Sequence, residues 1–174
     1  MIKWFFKFSK KHKIKLASIE DLISYRLKYE KLILRLSSKV LISNKFGKIH
    51  IYSYKNKLEN NINLVISKGK LNPNKSVPVR VISTKIKNLN ILNNINIKNS
   101  LKILSKFKNF LLLIINSNET TKDYSTNTLR YYGIGAQIIK DLNIKNMILI
   151  SRSKKKIIGL EGFGLRIKKQ IIIK

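Results

Sequence analysis

The sequence predicts an α/β fold: an antiparallel β meander, then a layered core of alternating helices and strands, with a strand-helix appendage ahead of both. Three observations support this class. Short apolar runs broken by Asn, Lys and Gly turns occupy residues 40–66. From Ser100 onward helical and strand patterns alternate, the order expected when helices cover a sheet. Ahead of the meander, Ser18 stands three residues before Asp21 at the head of a helical repeat of apolar residues, the signature of a capped amphipathic helix.

Taken in order, Ile14-Lys-Leu-Ala17 reads as a short strand. Ile19, Leu22, Ile23, Leu27 and Ile33 then recur on one face of a helix running from Ile19 to Leu34. The meander follows as Val40 to Ser43, Lys48 to Tyr52 and Ile62 to Ile66, and in its second strand Lys48, His50 and Tyr52 read as the exposed side. Val77 to Ile82 is a further strand, and Asn88 to Asn99 reads as a loop or a weak helix entry. Beyond it come a helix from Ser100, a strand from Phe110 to Ile115, an exposed Asn, Ser and Thr-rich loop from Asn116 to Thr128, and a helix from Gly133 to Leu142. Strands at Met147 to Ile150 and Leu165 to Ile167 end the chain, and no internal repeat is found. The change of pattern divides the chain into an appendage, 1–36, and a main domain, 37–174.

With 174 residues, 44% of them hydrophobic, the chain can bury one full core, or one domain plus a short appendage. The formal net charge of +29 is that of a polyanion binder. The lysines, however, are spread through every segment, and aromatic residues are not interleaved with them as a base-stacking platform requires. The charge by itself therefore implies nonspecific adhesion to polyanions. The absence of cysteine excludes disulfides and thiolate metal sites. Met1 to Phe8 is apolar but broken by Lys3 and Lys7 and lacks a cleavage site, and Phe110 to Ile115 is far shorter than the ~20 residues that cross a bilayer. A cytoplasmic protein without a membrane partner is expected.

Few residues announce chemistry by type and spacing alone. His12 and His50, the two imidazoles, fall in different predicted elements with no ligand spacing around them. Glu20 and Asp21 suit the first turn of a helix, where the macrodipole favours acids. Gly133 and Gly135 admit either a ligand at a helix N-terminus or close backbone packing, and packing is the simpler account. Gly159, Gly162 and Gly164 mark a turn-rich segment.

Longer motifs carry more. The stretch Leu129-Arg-Tyr-Tyr-Gly-Ile-Gly-Ala-Gln137 resembles the segment of GTP cyclohydrolase II that starts with an Asp-x-Arg pair and continues Tyr-Gly-Ile-Gly-Ala-Gln. Residues Ile148 to Leu165 are similar to that family's Leu-Leu-Thr-Asn-Asn-Pro block, which ends Gly-Leu-x-Gly-Tyr-Gly-Leu. Val79-Arg-Val-Ile-Ser-Thr84 stands where the family has Val-Arg-Val-His-Ser-Glu, and Ile14 to Arg26 resembles the closing strand and helix of dihydroxybutanone phosphate synthase. The combination resembles the bifunctional riboflavin-biosynthesis protein that joins the two.

The resemblance implies a fold, a substrate and a site. It implies a GTP cyclohydrolase II-like layered core that opens the guanine ring with a zinc-activated water, releasing formate and pyrophosphate. By position, Arg130 is the equivalent of the family's nucleophilic arginine, and Thr128 replaces its acidic proton acceptor. Arg80, Ser83, Ser151 and Lys156 match substrate-binding positions. The three zinc thiolates fall at Lys85 and within Asn94 to Lys98, so the zinc is expected to be lost and no cofactor retained. The expected partners are GTP or another nucleotide, bound weakly, and a separately made dihydroxybutanone phosphate synthase; a homodimer and nonspecific polyanion binding are compatible with the sequence. The alternatives are a basic nucleic-acid-binding protein and metal-independent release of pyrophosphate from GTP.

Overall fold

Two apolar layers on opposite sides of one sheet organise the chain. The computed structural model describes residues 2–17, 21, 25, 29–57, 61–86, 91–116, 126–154, 157 and 160–173, with the side chains at 2, 3, 126–132 and 161 outside that description. The strands are β1 (Ile33–Ser43), β2 (Gly47–Asn56), β3 (Ile62–Lys68), β4 (Val77–Ser83), β5 (Phe110–Ile115), β6 (Asn146–Ser151) and β7 (Arg166–Ile172). The helices are α1 (Ile2–His12), α2 (Ile95–Leu104) and α3 (Thr126–Asp141), with short 3₁₀ turns at Ile91–Asn93 and Leu160–Phe163.

All seven strands form one sheet in the order β1-β2-β3-β5-β4-β6-β7. The pairs from β1 to β5 are antiparallel; those joining β5, β4, β6 and β7 are parallel. Strand β5 sits at the change of sense and reads Phe-Leu-Leu-Leu-Ile-Ile, with every residue buried. Its alternation sends Leu111, Leu113 and Ile115 into the layer under α3, and Phe110, Leu112 and Ile114 into the layer under α2. Gly135 lets α3 come close to this strand: a Cβ there would stand 3.3 Å from Leu113 Cδ2.

The meander and the helix–strand alternation appear as the sequence implies, and four local expectations are corrected. Ile14 to Ala17 forms no strand; Lys13 takes a left-handed φ of 52°, and the Ile14 amide bonds Ser9 O at 3.0 Å, which closes the end of α1. The expected helix from Ile19 falls mostly outside the described residues, with 21, 25 and 29 helical, but it does not reach Leu34. Ile33 instead starts β1, paired with Asn56, because Gln137 on α3 captures the turn: its Nε2 donates to Glu30 O at 2.8 Å and its Oε1 accepts from Leu32 N at 3.0 Å. Helix α2 begins inside the Asn-rich stretch, where the Asn94 side chain accepts from the amides of Asn96 and Ile97 and so satisfies donors that a helix start leaves free. Helix α3 begins at Thr126, not Gly133, which places Thr128 and Arg130 in its first turns.

The side of β2 expected to face water is a fifth correction. Tyr54, on the same side as Lys48, His50 and Tyr52, is fully buried, and Tyr52 packs against the same layer. His50 is half-buried, its ring 6.4 Å from that of Tyr52. The Tyr54 hydroxyl donates to Asp141 Oδ2 at 2.8 Å, and the same carboxylate accepts from Arg35 Nε at 2.9 Å. Arg35 also lies 5.5 Å and 5.6 Å over the rings of Tyr52 and Tyr54. This cluster ties β1 and β2 to the last turn of α3.

Burial, then the hydrogen bond to Asp141, raises the Tyr54 pKa well above the usual phenol range. A raised phenol pKa means the folded state holds its proton more tightly, so this contribution is complete below about pH 10 and is lost as pH rises beyond it. Tyr54→Phe is expected to cost about 1–2 kcal/mol at pH 7 for the bond to the carboxylate and to fall less steeply than the parent in urea melts between about pH 10 and 11.5. Parallel pH profiles for the two proteins would refute the assignment.

Candidate functional site

The parallel half of the sheet has a switch point between β4 and β6. The chain leaves β4 toward α2 on one face, whereas the connection leaving β6 passes through Leu160 in the α3 layer on the other. In open sheets of this kind the loops part at the carboxyl ends of the two strands and leave a crevice. The pairing shows where it opens: β4 and β6 are in register for Val77↔Met147, Pro78↔Ile148 and Val79↔Leu149, and their mutual ladder ends there. Arg80 to Ser83 and Ile150 to Ser151 flank the opening.

The crevice has two lobes that share Val81, Ile82, Ser83 and Ser151. The lobe on the α3 side, about 250 Å³, is walled by Ile115, Gly135, Ala136, Ile139, Leu149 and Leu160. The lobe on the α2 side, about 590 Å³, is polar and basic, lined by Arg80, Asn96, Asn99, Ser100, Lys102 and Arg152 among others. No carboxylate is among its described lining residues.

Arg80 is the electrostatic centre of this lobe. Its side chain is only 6% exposed, yet its partners are neutral: Nε donates to Ser100 Oγ at 3.0 Å and Nη1 approaches Ile150 O at 3.4 Å. The Ser100 hydroxyl donates to Asn96 O at 2.7 Å, which leaves its oxygen lone pairs to accept from Arg80. Burial first, and then the nearby charge of Arg152, lower the Arg80 pKa. A guanidinium so placed is held by hydrogen bonds but not neutralised, a state that favours a bound anion.

Three of the sequence-derived site residues meet here: Arg80 and Ser83 at the end of β4, and Ser151 at the end of β6, whose hydroxyl donates to Ser153 O at 2.7 Å. Arg130 and Thr128 lie on the backbone of α3 with side chains outside the described residues, and Lys156 lies outside them altogether. Ser100, Asn99, Lys102 and Arg152 were not singled out in the sequence. Their signal was topological, since α2 and the β6–β7 connection must flank a crevice between β4 and β6.

The positions that would hold zinc do not fit a metal. Lys85 is exposed, Asn94 spends its side-chain oxygen on capping α2, and Ile97 is fully buried in the α2 layer. No group of three His, Cys, Asp or Glu side chains is arranged for a metal among the described residues. His12, against Phe8, and His50, against Tyr52, lie on α1 and β2. Likewise no described helix is long and apolar enough to cross a membrane.

Fold and crevice together define an α/β domain with a basic anion pocket beside an apolar chamber at a strand switch point. Comparison with known proteins shows what this domain is similar to. The GTP cyclohydrolase II family model matches residues 98–172. The chain is 31% identical to the 3,4-dihydroxy-2-butanone 4-phosphate synthase of Photobacterium phosphoreum over 92% of its own length and 49% of the relative's. It is 29% identical to the riboflavin biosynthesis protein RibBA of Aquifex aeolicus over 97% of its own length and 48% of the relative's. Among solved structures it superposes on RibBX, a two-domain 3,4-dihydroxy-2-butanone 4-phosphate synthase from A. baumannii, with a TM-score of 0.70 and 25% identity, covering 97% of this chain and 49% of that one. The chain is thus similar to riboflavin-biosynthesis proteins, and it spans about half the length of those it matches.

The anion pocket makes a prediction of its own. Arg80→Met keeps the volume and removes the buried charge, so the variant is expected to melt no lower than the parent in phosphate-free buffer. The parent should gain stability as pyrophosphate is added, by about 2.7 kcal/mol at a hundred times its Kd, and the variant should not. Equal pyrophosphate-induced shifts in thermal melts would remove Arg80 from the site.

Proposed function

We propose that this chain serves riboflavin biosynthesis as a zinc-free GTP cyclohydrolase II-type domain that no longer opens the guanine ring and acts as an accessory partner of a dihydroxybutanone phosphate synthase. Its crevice keeps the part of nucleotide recognition that needs no metal. Arg80, Ser83, Ser151 and Lys156 serve the phosphate side, and Arg130 is a vestige of the nucleophile.

The observation that carries this reading is what occupies the three thiolate positions. By resemblance the first thiolate falls at Lys85, an exposed ammonium, and the other two within Asn94 to Lys98, a stretch that caps and opens α2 and buries Ile97. An ammonium repels a divalent ion, and without the ion there is no water of lowered pKa to attack the ring. The replacement of the acidic neighbour by Thr128 removes the second proton acceptor as well. The accessory role is supported by the two relatives whose names are those of a synthase and in which this chain matches about half the length.

Two measurements test the proposal. Protein produced in zinc-supplemented medium is expected to carry far less than one zinc per chain and to release neither formate nor pyrophosphate from labelled GTP. Stoichiometric zinc with formate release would overturn the zinc-free reading, and pyrophosphate release alone would favour a metal-independent activity. Mixing with a dihydroxybutanone phosphate synthase should give a complex with higher thermal stability than the synthase alone. A synthase equally stable and active with and without the chain would remove the accessory role.

A further inference from the structure

The main sheet closes both of its apolar layers, but α1 closes nothing. Trp4, Phe5, Phe6 and Phe8 are all exposed, Trp4 by 62%, and none of them joins either buried cluster. Trp4, Phe8 and His12 instead form a column at helical i, i+4 spacing, with ring centroids 5.2 Å apart for the first pair and 4.4 Å for the second. Rings arranged this way present one continuous apolar ridge. Such a ridge in water marks a contact surface.

Two further observations bear on what could cover it. The superposition on the two-domain synthase and the alignment with RibBA each take in 97% of this chain. The uncovered 3% of 174 residues is about five, fewer than the eleven of α1, so most of α1 has a counterpart in both. In each of these proteins roughly half of the length lies outside the match. The second observation is charge: residues 1–17 hold no acid, whereas Lys3, Lys7, Lys10, Lys11, Lys13 and Lys15 stand in that stretch.

We propose that α1 seats its Trp4–Phe8 ridge in an apolar trough, rimmed by carboxylates, on the dihydroxybutanone phosphate synthase. The synthase supplies the wall that this helix lacks, and the lysines fix its orientation by pairing with the rim. The inference rests on the accessory-partner reading and adds the surface through which the two meet. The 11-residue length and basic flanks of α1 would also suit the plane of an anionic membrane. The counterpart of α1 in a two-domain synthase favours the protein partner.

Trp4 is the single tryptophan of the chain, so it reports on its own burial. The full chain labelled with 5-fluorotryptophan is titrated with the purified synthase of the same organism and, separately, with vesicles of phosphatidylglycerol. The fluorine resonance is expected to shift and lose its solvent isotope effect with the synthase. Phe8→Ser should weaken the complex at least ~10-fold, whereas Ile42→Ser, on the exposed edge of β1, should leave affinity within about two-fold. Both positions lie outside the buried clusters, and unchanged urea melts would verify that both variants fold. If the parent binds the synthase while Trp4 stays in water and Phe8→Ser binds equally well, the docking surface is wrong and the accessory role stands. If the parent does not bind at all, both fall. Burial of Trp4 on vesicles but not on the synthase overturns the proposal in favour of a membrane.

Discussion

Burial of β5 on both faces is the constraint from which the rest of the architecture follows. Six apolar residues in a row cannot face water on either side, so one layer of cover must come from α2 and the other from α3. The same strand pairs antiparallel with β3 and parallel with β4, which welds the meander to the parallel half in one continuous sheet. Because α2 and α3 lie on opposite faces, the loops after β4 and β6 are forced apart. The crevice is therefore a product of how the central strand is covered.

Scarcity of carboxylates gives the few that exist a large role. Eight acids face 37 Lys and Arg in the chain. Asp141 alone serves Arg35 and Tyr54, so that one side chain holds the meander against the end of α3. At the crevice the opposite solution holds: among the described residues the hydrogen-bond partners of Arg80 are a hydroxyl and a carbonyl, and its charge remains available. A surplus of cations left unneutralised inside the fold has thus been concentrated where an anion can reach it.

The parts of the fold legible in the sequence are those where local pattern and tertiary setting agree. Phe110 to Ile115 was readable because a short apolar run bounded by turn residues has few other homes. Ile33 was misread as the last residue on a helical face because the decisive partner, Gln137, lies about a hundred residues away. Asn94 was hidden in a stretch whose composition suggested a loop, although asparagine is among the strongest helix-capping residues. For the site, motif resemblance found Arg80, Ser83 and Ser151, while Ser100 and Arg152 became visible only once the strand order placed them around the same opening. In the sequence the aromatic residues of α1 form only an apolar run broken by lysines, because nothing in their spacing says whether a ridge is covered.

The early end of the β4–β6 ladder has a consequence for how such a domain changes over generations. Where two neighbouring strands diverge, the gap is framed by main chain, and exchanging one side chain for another at its rim alters its lining without filling it. A hollow framed in this way persists through such exchanges, and its contents can be reassigned one substitution at a time.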